Sequence, residues 1–380
     1  MAEYYRNPYK TGSGTDERRS LWLIVVDAIM YLLSATAVLS MFIILVGRFV
    51  SPEKMWYFSL LGLVAPMVYI AVVLSLFYWI IRWKWRPATV TGAFVLLGLF
   101  HVPLYYKLDF TKQYGEQKYD RNNIKVLTFN VHNFYDENGK STVDSVFRFV
   151  QSLNPDIVCF QEYALDVPSR KQQDEKFRAY NFGSSKLPAT SATMECMTKH
   201  RIIGAARMED LGGTGVCITT DMVINDDTVR VFNLHLQTTS INSQDKDYIS
   251  QGEFISDSTR ETRFIQIARS LRRNNALRAH QVDMIHEEVA NSPYPVILCG
   301  DFNDIPASYT YRKVAKGLDD SFSRQGHLFA HTFRGFFNML RIDYILLSPE
   351  LETVSYEVVH TGNISDHYPV TVRLKQTQKL

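Results

Sequence analysis

Six short segments of this chain put a carboxylate, an amide or an imidazole at the end of an apolar run: FNVHNF with Asn130, FQE with Glu162, NLHLQ with His235, GDFND with Asp301 and Asn303, RIDYIL with Asp343, and SDHYPV with Asp366 and His367. Loops at the ends of scaffold elements are where proteins present reactive groups. The set contains carboxylates and amides but no thiolates, and such donors suit a hard divalent cation, Mg2+ or Mn2+, which keeps waters and binds phosphate. Phosphoryl chemistry is therefore the expectation. No HExxH helix and no zinc-type Cys/His spacing competes with it. Gly139-Lys140-Ser141-Thr142 looks like the end of a phosphate loop, but Phe134 stands where that motif needs its first glycine.

Taken singly, these residues have plain explanations. Asp301 and Asn303 are what a turn after a strand prefers. His235 and His367 could each be a satisfied structural histidine, and Asp343 a strand carboxylate. Their joint placement depends on the elements that carry them. From Ile124 onward, short β-rich runs alternate with helical ones, as in an α/β protein. IKVLTFN alternates like a strand, Val143, Val146, Phe147, Val150 and Leu153 repeat at helical spacing behind a Ser141/Asp144 capping box, and Asn154-Pro155 stops that helix. DIVCFQE reads as a buried strand, and CITTDMVIN and TVRVFNLHL read as a hairpin around Asp226-Asp227. A long helical pattern runs from about Ser258 to Ala290, followed by strand runs PVILCGDF, RIDYILLSP, YEVVHT and PVTVRLK. Hairpins inside an α/β chain imply mixed sheets.

On the long helix Phe264, Ile267, Leu271, Val282, Ile285 and Val289 share one face, and Arg278 falls on the same stripe. A buried arginine must find an anion or carbonyls, so it either reaches a site phosphate or carboxylate or makes a structural pair. Cys159 and Cys299 sit in apolar strand runs and read as buried thiols, whereas Cys196 and Cys217 flank an irregular stretch where an oxidising compartment would let them pair.

The N-terminal third is different. Three long apolar runs, Leu21 to Gly47, Met55 to Ile81 and Ala88 to Tyr106, predict three transmembrane helices, and the first is too long for a cleavable signal. Arg6, Lys10, Arg18 and Arg19 precede the first run and Arg82, Lys84 and Arg86 separate the second from the third, against only Arg48 and Lys54 in the first spacer. By the positive-inside rule, the N-terminus is cytoplasmic and, with three spans, everything after Tyr106 is periplasmic or extracellular; if the third run does not cross, the domain is cytoplasmic instead. The expected organisation is a cytoplasmic segment 1–20, a membrane domain 21–106, a polar linker 107–123 and a soluble domain 124–376. Asp27, the charge within the first span, lies near one end and is expected to reach the interface. A net charge of +2 leaves no polybasic footprint for nucleic acid.

The ordered motifs resemble the signature of the endonuclease/exonuclease/phosphatase superfamily, over about residues 124 to 375. Each motif is weak by itself; six in family order are specific. The resemblance implies a four-layered α/β sandwich, two packed mixed β-sheets flanked by helices, carrying an Mg2+- or Mn2+-dependent hydrolase. It implies Glu162 as the main metal ligand with Asn130 and Asp366 nearby, Asn303 on a phosphate oxygen, and Asp301 as the base for water. Asp343 would orient His367, and His235 would supply a second cationic donor. The family's tyrosine-bearing segment is replaced by MTKHRI, with His200 in the tyrosine's place, and Ser184 to Thr214 fits the family poorly. Arg278 and His200 are thus the weaker phosphate-binding candidates. The expected partners are a phosphate ester (phospholipid head group, nucleic acid or nucleotide) and the lipid bilayer, with no obligate protein partner. The rival expectation is an inactive membrane-tethered module that binds a phosphate ligand.

Overall fold

The computed structural model describes residues 14–107, 123–163, 175, 177–178, 182–185, 193–238, 260–335 and 338–377. The positive residues Arg6 and Lys10, most of the expected linker, part of the poorly fitting Ser184 to Thr214 segment and the expected helix start at Ser258 lie outside these, as do the side chains of Phe264 and Ile267. By internal packing the chain divides into two units, 1–45 with 64–100, and 46–63 with 101–380.

The first unit contains α1 (Gly14–Gly47); of α2 (Tyr57–Leu63), α3 (Ala65–Ile81) and α4 (Trp85–Leu99), the last two also belong to it. Among the described residues one helix is long and apolar enough to cross a bilayer, over Leu21–Gly47; the expected second and third spans are not such helices. The second apolar run is divided at Val64, just ahead of Pro66, which leaves a helix of 17 residues. At about 1.5 Å per residue it falls short of a roughly 30 Å hydrocarbon core. The third run ends its helix at Leu99 after 15 residues, and its last residues form α5 (Val102–Tyr105) and the start of β1 (Tyr106–Lys107). Asp27 is buried against the spacer that follows α3: both its oxygens accept from Arg82 at 2.9 Å, and Oδ1 also accepts from the Tyr78 hydroxyl at 2.6 Å. Trp79 donates its indole N–H to Ser34 at 2.9 Å, joining α3 to α1.

In the second unit, β2 (Ile124–Asn130), β3 (Ile157–Gln161), β4 (Gly183–Ser184), β5 (Met194–Thr198), β6 (Arg201–Arg207), β7 (Val216–Ile224), β8 (Asp227–His235), β9 (Val296–Asp301), β10 (Asp319–Asp320), β11 (Leu328–Phe329), β12 (Asp343–Leu347), β13 (Leu351–Val358) and β14 (Val370–Gln376) build the sheets. Two are six-stranded, in the orders β13-β14-β2-β3-β5-β4 and β10-β12-β9-β8-β7-β6, and β1 pairs only with β11. Each large sheet is mixed: β2 and β3 run parallel in one, β8 and β9 in the other, and the remaining pairings are antiparallel.

The strand period of two sorts the side chains. Ile124, Val126, Ile157, Cys159, Val229, Val231, Ile297, Cys299 and Ile345 interlock between the two sheets. Their alternates face helices: Leu127, Phe129, Val158 and Phe160 pack with Val146 and Val150 of α6 (Val143–Leu153), while Phe232, Leu234 and Leu298 pack with Val282 and Ile285 of α7 (Arg260–Ala290) and with Tyr311 and Val314 of α8 (Tyr309–Val314). The order is therefore helix, sheet, sheet, helix. All four cysteines are free and buried. Cys196 pairs across strands with Cys159 in the inter-sheet core, whereas Cys217 faces α7, so Cys196 and Cys217 form no bridge.

Two local expectations are revised. The α6 N-cap is Thr142, without a side-chain cap, in place of a Ser141/Asp144 box; at the other end Asn154, in the left-handed conformation, terminates the helix. The β7–β8 hairpin turns at Asn225 and Asp226, both at positive φ, one residue earlier than expected. That pair is the backbone signature of the turn whose twist matches the strands.

Candidate active site

The inter-sheet faces of β2, β3, β8, β9 and β12 are apolar until their ends at one edge of the sandwich. The same alternation that points Val126, Val231, Cys299 and Ile345 inward brings Asn130, His235, Asp301 and Asp343 into the gap between the sheets. Parallel pairing makes β2 and β3 end side by side, and likewise β8 and β9, with His235 opposite Asp301 and Asp301 opposite Asp343. Glu162 follows β3 directly, and Asp366 and His367 immediately precede β14. Just beneath, Gln161 donates to Asn233 at 2.7 Å and to Thr128 at 3.0 Å, and Asn233 donates to the carbonyls of Phe160 and Glu195. This buried amide pair fastens one sheet to the other under the polar cluster.

Asn130 Nδ2 donates to Glu162 Oε1 at 3.2 Å and to Asp301 Oδ2 at 3.0 Å, and its Oδ1 accepts the His132 N–H. His235 Nε2 stands 3.6 Å from Glu162 Oε1 and 3.8 Å from Asp301 Oδ2. His367 Nε2 lies 3.7 Å from Asp301 Oδ2, while its Nδ1 meets Asp343 Oδ2 at 2.9 Å. The Asn303 backbone N–H donates to Asp301 Oδ1 at 2.7 Å, and its side-chain amide donates to the Leu236 carbonyl at 3.1 Å. Burial opposes charging the His367 ring, but the carboxylates of Asp343 and Asp301 outweigh it and hold its pKa well above the usual histidine range. Burial likewise lifts the Asp343 carboxyl, and His367 pulls it back.

The backbone here is strained. Glu162, Asn303 and three successive residues, His132, Asn133 and Phe134, all adopt positive φ without being glycine. Gly300 sits at φ 136, where a Cβ would lie 2.0 Å from the Leu234 carbonyl oxygen, so only glycine allows β8 and β9 this close.

The cluster has residues that sequence reasoning passed over. Asn133 Nδ2 donates to Glu162 Oε2 at 3.1 Å, and its N–H to the Glu162 carbonyl. Thr332 accepts the N–H of Asp343 on its hydroxyl, Ser365 donates to the Asn130 carbonyl and accepts the His367 N–H, and the Phe333 ring lies 5.0 Å from the His367 ring. Asn133 lies within FNVHNF, three positions after Asn130; the left-handed turn that aims it leaves no mark in the pattern.

Of the two weaker candidates, His200 lies away from the cluster and Arg278 is engaged by protein groups beside it. β5 runs antiparallel to β3, with Thr198 opposite Ile157, so His200 lies past the start of β3, at the opposite end from Glu162. Arg278 is 3% exposed and its described bonds go to protein groups: Nη1 to the Gln237 carbonyl at 2.9 Å, Nη2 to Asn275, and Nε 3.7 Å from Asp304.

Polar atoms at the site test whether a cation fits. Among the described residues, His235 Nε2, Asp343 Oδ1 and Asp366 Oδ1 are buried without a hydrogen-bond partner, which is what a metal or phosphate would relieve. Asp301, Asp343 and His367 offer ligand atoms within 4.8 Å of one another, a possible divalent metal site. Glu162 and Asp366 are more open to solvent, each carboxylate being 24% exposed. Carboxylate oxygens with access to water suit a hydrated hard cation.

Comparison with known proteins gives the same class. A family model described as "Endonuclease/Exonuclease/phosphatase family" matches residues 127–367, well over half of the chain. The chain belongs to that family. A second model, described as a domain of unknown function, matches residues 27–105. No curated protein matches. Among solved structures, a family protein from Bacteroides thetaiotaomicron is 18% identical over 67% of this chain and 98% of its own, with a TM-score of 0.50, which supports the fold alone. Also similar are an endonuclease/exonuclease/phosphatase from Beutenbergia cavernae (19% identity, 67% and 72% coverage, TM-score 0.48) and a mannosyl-6-phosphatase from Bacteroides thetaiotaomicron (17%, 66% and 99%, 0.48).

Proposed function

We propose that this endonuclease/exonuclease/phosphatase family member is a membrane-anchored, divalent-metal-dependent phosphoric-ester hydrolase. The observation that carries the reading is the convergence of Asn130, Glu162, His235, Asp301, Asp343 and His367 at one edge of the sandwich, with His235 Nε2 and Asp366 Oδ1 left without partners. Glu162, Asn130 and Asp366 would hold Mg2+ or Mn2+, which when bound supplies positive charge to the phosphate and its developing oxyanion. Asp301 orients the attacking water and takes its proton. His367, kept charged by Asp343, and His235 face the phosphate as hydrogen-bond donors, and Asn303 donates to a phosphate oxygen. Water then displaces the leaving oxygen in line. The expected substrate is a phosphate ester in a phospholipid head group, nucleic acid or nucleotide.

The testing experiment is a panel assay of the full chain with Mg2+, Mn2+ or EDTA on bis-p-nitrophenyl phosphate, plasmid DNA and phospholipids. Metal-dependent hydrolysis of at least one is expected; phosphate-ligand binding with no turnover of any would favour an inactive tethered module.

For the anchor, we infer that the Leu21–Gly47 helix holds the chain to the inner membrane, with 107–123 as linker and 124–376 on the periplasmic or extracellular side. The apolar length of that helix and the basic residues ahead of it, Arg18 and Arg19, support this. A reporter active only outside the cytoplasm should work when fused after Asn123. A silent fusion there would mean that the chain after α4 lies in the cytoplasm.

A further inference from the structure

The long helix α7 enters the core with two polar side chains three positions apart, Arg278 and Gln281, both buried on the face that meets the second sheet. They grip one residue from either side. Gln281 Oε1 accepts the Gln237 N–H at 2.9 Å, and Arg278 Nη1 donates to the Gln237 carbonyl at 2.9 Å. Gln281 also donates to the Gly212 carbonyl at 2.8 Å, and the Gln237 side chain accepts the Thr214 N–H at 2.8 Å. The other end of the guanidinium lies beside Asp304 at 3.7 Å, and the Asp304 carbonyl accepts the Tyr344 hydroxyl at 2.8 Å.

This network joins two loops that matter. The residue before Gln237 is Leu236, whose carbonyl holds the Asn303 amide and whose N–H donates to the Asp301 carbonyl. Asp304 is the residue after Asn303. Arg278 therefore bridges the loop after β8, which follows His235, to the loop after β9, which carries Asn303. The described residues of both loops, 236–238 and 302–304, lie outside the strands and Asn303 is at positive φ, so neither stretch has a ladder of its own to hold it there. A planar fork with several fixed donors can hold two loops at once; a single ammonium cannot. Burying that charge is costly, and burial does push the Arg278 pKa down against the pull of Asp304 and Asp301, so the site is built around the guanidinium.

We propose that Arg278 is a positioning residue that locks the loops after β8 and β9 to each other and so aims the Asn303 amide at the substrate phosphate. The inference rests on the reading of Asn303 given above. It replaces direct phosphate binding by Arg278 with action through Leu236, Gln237 and Asp304.

The test uses the full chain with R278M, R278K, N303G and R278M/N303G, glycine being chosen because it tolerates the positive φ of Asn303. Thermal unfolding, backbone amide exchange at Thr214 and Gln237, turnover of bis-p-nitrophenyl phosphate with Mg2+ and inhibition by inorganic phosphate are read together. R278M should unfold cooperatively, lose at least about tenfold in amide protection at these two residues relative to the β9 core, and lose about 10²-fold in kcat, the scale of a 1 Å misplacement. KM should stay within about twofold, as expected when the loss falls on the transition state. R278K should lose most of the same factor. In the N303G background R278M should cost little more. Losses that multiply with N303G, or phosphate inhibition weakened equally in both backgrounds, would make Arg278 an independent phosphate ligand and overturn the proposal. So would a lowered melting temperature with amide protection and turnover per folded molecule intact. If R278M fails to fold, R278K decides on the same readouts. A wild-type chain that hydrolyses nothing sinks the functional reading by itself, and unchanged amide protection in R278K would then overturn the clamp separately.

Discussion

Glu162→Gln is expected to lower turnover by more than about 100-fold, beyond the roughly 10- to 100-fold that outer-shell partners of a metal contribute. The side chain keeps its size and position, so Asn130 and Asn133 would still have one carbonyl oxygen to donate to, but one of their two acceptors becomes an amide that can only donate. More important, the site loses the one negative charge that faces His235 from β3 and is open to solvent. A hard cation held by oxygens is sensitive to that charge count. The loss should be recovered in part by raising Mg2+ or Mn2+, because a weakened site still fills at higher concentration. Calorimetric titration with Mn2+ should show weaker binding in the variant while thermal unfolding in EDTA stays close to wild type. Full activity of the wild-type chain in EDTA would refute the metal reading.

What could be read from the sequence was the part governed by short periods. Alternation along IKVLTFN, DIVCFQE, TVRVFNLHL and PVILCGDF gives strands whose last inward position is polar, and the strand ends then place Asn130, Glu162, His235 and Asp301 together. The elements that were misjudged depend on the backbone or on distant partners. Pro66 divides an apolar run that hydropathy counts as continuous, and Tyr106 pairs with Phe329 in a strand, so apolar length overstated the number of spans. Asn133 reaches Glu162 only because His132 to Phe134 turn left-handed, which no residue type announces. His200 was placed by analogy of order within the chain, and antiparallel pairing of β5 with β3 carries it to the far end. Arg278 was recognised as anomalous on an apolar stripe, yet its partners Gln237 and Asp304 come from loops about 40 and 26 positions away.

The second large effect is expected at Asp343 and His367. These two are the first residue of β12 and a residue just ahead of β14, joined at 2.9 Å, both nearly fully buried, with Asp343 held in place by the Thr332 hydroxyl. If the carboxylate acts only by orienting and charging the ring, the pair is one unit and its losses should not add. His367→Ala should lose on the order of 10² to 10⁴ in rate, the range of a general acid or base contribution. Asp343→Asn keeps the volume and can still accept at its amide oxygen, but it no longer holds a positive ring, so it should lose a large share of the same factor. The double variant should then resemble His367→Ala alone. A carboxylate that serves only the fold predicts another pattern: Asp343→Asn would lower the melting temperature while turnover per folded molecule stayed near normal. Measuring both quantities for the three variants separates these outcomes, and rate losses that multiply would reject the dyad even with both residues essential. The Phe333 ring, 5.0 Å from that of His367, makes the comparison sharper, since removing the imidazole also removes its packing partner. His367→Gln, which fills more of that space than alanine without carrying charge, should match His367→Ala in rate and exceed it in stability.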